Sequence, residues 1–119
     1  MHIHKSDPGV FASVEKTVVD LLLPLFLDRA GGEEVLARAM IQDQIEGYMP
    51  QSVSDLLRVG RIIGLRTTAV DSLRLSMDIN QDIQQCWQVA ASLSKEADRM
   101  VQLLNKTRAA RDTIAVAVR

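Results

Sequence analysis

The chain has little of what catalytic and metal centres are built from. Its 119 residues hold one cysteine, Cys86, and two histidines, His2 and His4. A lone cysteine excludes an internal disulfide and fits a reducing compartment, so a cytoplasmic location is expected, with a crosslink between two chains still open. Cys86 itself reads as a small apolar residue on a packed face. The histidines stand together at the N-terminus and no Glu-x-x-His pair occurs, which excludes a ferritin-like di-metal site on ligand count. A Ser/His or Cys/His nucleophile pair would have to recruit those same histidines. Glu46, Asp55, Asp71 and Asp82 are spaced as solvated helix-face or capping residues, and no pair is set apart for acid-base work. No enzyme activity, cofactor or metal is therefore expected.

Aromatic residues are also scarce, at 3%: Phe11, Phe26, Tyr48 and Trp87. Leu, Val, Ile, Ala and Met must fill the interior, and such side chains suit helix packed on helix. Long apolar runs are missing. The longest, Val18 to Leu27, carries Asp20 and Pro24 and falls short of the roughly 20 residues that cross a bilayer, so no membrane span is expected. No small-residue cleavage pattern follows an apolar run near the N-terminus, which argues against a signal peptide. Net charge is nearly absent at −1, yet unevenly spread. Residues 1–50 sum to −4 and residues 95–119 to +3, which favours the acidic N-terminal half lying near the basic end.

What the chain does have is helical periodicity. From Ile62 to Leu104 apolar or small residues return every three or four positions, with one longer step: Ile62, Leu65, Ala69, Leu73, Met77, Ile83, Trp87, Ala90, Leu93, Ala97, Met100 and Leu104. A helix with such a stripe must bury it on another helix, from the same chain or a partner. A second thread with a coil-like period of 3.5 runs through Ile62, Leu65, Ala69, Ser72, Ser76, Ile79, Ile83, Cys86, Ala90, Leu93, Ala97, Met100 and Leu104. It would suit one long helix from Val53 to about Arg111, but the capping residues of Asp78-Ile79-Asn80-Gln81 favour a turn and an antiparallel hairpin.

Four helices are predicted. Ser6-Asp7-Pro8 starts the first, over 8–28, which is apolar nearly all round near Pro24, where a kink is expected and a buried, central position with it. Gly31-Gly32 ends it. The second, over 33–46, would bury Leu36, Ala37, Met40, Ile41 and Ile45 and close at Gly47 and Pro50. Ser52 and Asp55 form an acidic relative of the capping box at the start of the third, over 53–77. Gly60 and Gly64 lie four apart on it and suggest close approach of another backbone. The fourth covers 80–111 and ends in the basic run Lys106, Arg108, Arg111.

The expectation is thus an all-α, four-helix antiparallel bundle with short loops, helices 3 and 4 longest, forming a single helical domain over 1–119 with flexible ends at 1–7 and 113–119. The expected function is non-catalytic: a helical interaction or structural protein that self-associates, a homodimer being favoured, through apolar faces at Ile62, Leu65, Ala69, Leu73, Ile83, Trp87, Ala90, Leu93, Ala97 and Leu104. The alternative is a small regulator binding nucleic acid through its basic C-terminal end, with Arg58, Arg61 and Arg66 as further cations. With a slightly negative net charge and no interleaved aromatics, that alternative is the weaker one.

Overall fold

A computed structural model describes residues 8–78 and 83–118, without the side chains of 75–78, 83 and 115–118. It contains four helices, α1 (Pro8–Phe26), α2 (Glu34–Gly47), α3 (Val53–Asp78) and α4 (Ile83–Val118), and no strand among the described residues. The chain is an all-α antiparallel helical bundle in which α3 and α4 are longest, and those two pack most extensively on each other.

Directions follow from side-chain pairs. Val18 and Leu22 lie against Gly60 and Gly64 and Arg29 bonds to Asp71, so α1 and α3 run parallel. Arg66 meets Asp98, Arg58 meets Thr107 and Asp55 meets Arg111, so α4 returns antiparallel along α3. The expected hairpin is therefore present; residues 79–82, where its capping turn was placed, lie outside the described residues, as do His2, His4 and the Ser6-Asp7 cap. The C-terminal residues continue α4 to Val118, well past the expected end at 111.

The described positions of the 3.5-residue thread line the seam of this hairpin, not the single long helix that the thread also suited. Ile62, Ala69, Ala90, Ala97 and Leu104 are buried, and Leu65, Ser72, Cys86, Leu93 and Met100 are partly buried between them. Trp87, assigned to the seam by the looser stripe, is 58% exposed instead. At 100° per residue it stands off the Cys86 and Ala90 line, and among the described residues α3 alone flanks α4 at that end.

Two turns set the remaining geometry. Gly31 and Gly32 adopt φ of 66° and 83°, and the Gly32 amide donates to the Leu27 carbonyl at 2.7 Å, closing α1 as glycine permits. α1 runs through Pro24 to Phe26 as one helix, with no restart: the proline stands so near the C-terminal end that little helix remains to be broken. After α2 the left-handed residue is Met49, φ 50°, not Gly47, which is the last helical residue. Met49 precedes Pro50, and the proline ring excludes the α-helical conformation there. The expected cap of α3 forms, the Asp55 amide donating to Ser52 Oγ at 3.1 Å.

Burial corrects two expectations. α1 is not buried all round: Leu21 is 73% exposed and Val10 is also open to solvent. Leu36, assigned to the buried face of α2, is exposed, whereas Ala37, Ile41 and Ile45 are buried. Both follow from an arrangement in which α1, α2 and α3 form a triangle and α4 is added to α3, with no backbone-level contact from α4 to α1 or α2 among the described residues. The molecule is a slab of 59 × 30 × 17 Å.

Candidate interaction surface

The four sides of α3 have different fates. Gly60, Gly64 and Asp71 turn one side to α1. Ile62 and Ala69 turn the opposite side to α4, and the buried Leu56, Val59 and Ile63 occupy the third, which α2 covers. The fourth carries Ser54, Leu57, Arg61 and Thr68, all exposed. The sequence cannot show this asymmetry, since a helix of this composition can be covered on any side. On that open side Leu57 is 57% exposed, Leu103 of α4 is 47% exposed, and Leu21 of α1 flanks them. Arg61 reaches Glu96 at only 4.0 Å, while Glu96 is gripped by Arg99 at 2.6 Å. The register of the helix pairs sets Leu21, Arg61 and Leu103 at nearly one level along the axis.

Of the ten residues assigned to an interface, Ile62, Ala69, Ala90, Ala97 and Leu104 are covered by the chain's own helices, Leu65, Leu73 and Leu93 partly so, and Trp87 is exposed. The side chain of Ile83 lies outside the described residues. The chain thus hides most of its stripe by itself. Among the apolar residues left in the open, Leu21, Leu57 and Leu103 share the fourth side of the three-helix layer, and that shared place, not their exposure alone, sets them apart from Val35, Met49 or Trp87.

The basic end has internal partners. Asp55 is fully buried; its carboxylate accepts from Arg111 Nη1 at 3.2 Å and Nη2 at 2.9 Å and from the Gln51 amide at 3.0 Å. Arg108 Nε lies 3.8 Å from the same carboxylate, and its Nη2 donates to the carbonyls of Tyr48 and Met49. Burial works to raise the Asp55 pKa, but the Arg111 and Gln51 hydrogen bonds and the two guanidinium charges outweigh it, leaving the pKa below its ordinary value. The expected approach of the basic end to the N-terminal half occurs, yet among the described residues it runs through Asp55 and the Tyr48 and Met49 carbonyls and not through the acidic residues of 8–50. Arg58 donates to Thr107, and Arg66 to Tyr48 and Asp98.

A shallow groove of about 330 Å³ lies between α1 and α2, lined by Glu15, Lys16, Val19 and Arg38 among others. Arg38 is held there by Asp20 at 2.7 Å and Glu34 at 3.3 Å. Among the described residues no group of His, Cys, Asp and Glu could hold a metal ion, and no helix is long and apolar enough to cross a membrane. No protein-family model, curated protein or solved structure matches the chain.

Proposed function

We propose that this chain is a non-catalytic helical interaction protein that self-associates, most simply as a homodimer. One observation carries the reading. Among the described residues the α1, α3 and α4 layer has α2 on one face and no element on the other, where Leu21, Leu57 and Leu103 stand in water. Large apolar side chains grouped on one face of a small domain mark a surface meant to be covered. The lone Cys86 fits a reducing compartment, so the cytoplasm is the proposed location.

Nucleic-acid binding draws less support, because Arg108 and Arg111 are bonded to Asp55 and to loop carbonyls, and phosphate contacts would have to compete with those partners. Sedimentation velocity from low to high micromolar concentration tests the proposal. A sedimentation coefficient that rises from the monomer value toward that of a dimer is expected; a monomer throughout overturns the reading.

A further inference from the structure

We infer that the open face of the α1, α3 and α4 layer docks an antiparallel second copy of itself, with Arg61 of each copy opposite the partner's Glu96. The inference rests on the self-association proposed above and specifies its surface and symmetry. Three observations converge on this occupant.

First, the face is large enough. The slab measures 59 by 30 Å across this face, which can supply the roughly 800 Å² per partner that a stable interface buries. Second, its charges complement themselves. Arg61 is 64% exposed and barely within reach of Glu96 in its own chain. A two-fold axis crossing the helices between the levels of these residues sets each Arg61 against the partner's Glu96, which already carries Arg99 on its other side. Third, the apolar residues lie in the same zone, with Leu21 and Leu103 level with Arg61 and Leu57 one turn away, so the same contact removes them from water. An isologous face of this kind closes on itself, and the assembly stops at two.

The double variant Leu57→Lys/Leu103→Lys is the direct test. Both side chains are exposed, so the monomer keeps its helix content and cooperative melt. Its self-affinity is expected to fall by at least about a hundredfold, as two buried leucines become charged. Val35→Lys, a change at a still more exposed position on α2 away from the face, is expected to leave association intact. Arg61→Glu is expected to weaken association about tenfold, and Arg61→Glu with Glu96→Arg to recover most of it.

Each failure has its own meaning. A wild-type chain that stays monomeric overturns self-association itself. A wild-type dimer that survives Leu57→Lys/Leu103→Lys overturns this surface and leaves self-association standing. A charge exchange that fails to recover the single variant overturns the antiparallel pairing, and species that grow beyond a dimer with concentration overturn the two-fold symmetry. A monomer that binds anionic phospholipid vesicles through the same leucines also overturns the inference, in favour of a membrane surface.

Discussion

Asp55 does three jobs, two of them with its carboxylate and one with its backbone amide. It accepts the Gln51 amide just before α3, its own amide is bonded by Ser52, and it pairs with Arg111 from the far end of α4. A buried charge with these partners is stable only while all of them remain. Asp55→Ala leaves Arg108 Nε, already buried without a hydrogen-bond partner, further from any negative charge, and is expected to destabilise the fold by about 3 kcal/mol in urea unfolding. The pH dependence has a definite sign. Because the folded pKa lies below the unfolded one, the stabilisation is complete above about pH 4 and is lost as pH falls through the folded pKa. Wild type and Asp55→Asn should therefore differ most at neutral pH and converge in acid; a constant gap down to about pH 2 would show that the carboxylate charge is not what stabilises the pair.

At the scale of helices, Gly60 and Gly64 are alike in sequence and unlike in place. A Cβ on Gly60 would lie 2.8 Å from Val18 Cγ1, whereas one on Gly64 would lie 3.5 Å from Leu22 Cδ2. Val18 is buried and β-branched, so it has few rotamers in which to yield. Gly60→Ala should destabilise by about 1 to 2 kcal/mol after its gain in helix propensity, and Gly64→Ala should stabilise by up to about 1 kcal/mol. Thermal melts of the two variants moving in opposite directions are the expected result, and truncating Val18 to Ala should remove most of the Gly60→Ala penalty. Equal shifts would mean that α1 adjusts freely over α3.

The same two glycines show what was legible beforehand. Their spacing suggested a close neighbour, just as Ser52 with Asp55 announced a helix start, because each is a local pattern; the 3.5-residue thread was local too, but it fitted one long helix as well as a hairpin seam, and only the antiparallel packing of α3 on α4 decides between them. Which side of α3 each neighbour takes is not local. Leu57 and Ile63 are both large aliphatic residues on one helix, and only the short span of α2 and its position over Leu56, Val59 and Ile63 decide that one is buried and the other wet. Asp55 divides the same way: its capping role was visible at three residues' separation, its partnership with Arg111 fifty-six residues away was not.

At the scale of the whole molecule, the length of α3 and α4 exceeds what α1 and α2 can cover. The contact of α1 with α3 reaches Asp71 through Arg29, and beyond it, among the described residues, α3 and α4 are flanked only by each other. The described residues there match that isolation, with Ala90 in the seam and Trp87 and Val89 facing water. A two-helix arm whose described seam holds one buried alanine and otherwise half-buried side chains such as Leu73, Cys86 and Leu93 buries little apolar area, so its free energy of opening should be small compared with that of the three- and four-helix region. Native-state hydrogen exchange should divide α4 along its own length. Amides of 97–106, beside the buried Ala97 and Leu104 and the Asp55 cluster, should exchange near the global unfolding limit. Those of 85–92 should exchange at least about a hundredfold faster, a difference of roughly 3 kcal/mol in opening. Uniform protection along α4 would mean that the arm is covered in solution. If protection of 85–92 also rose with protein concentration, the cover would be a second copy, and Trp87 would belong to the interface that now places Leu57 and Leu103 at its centre.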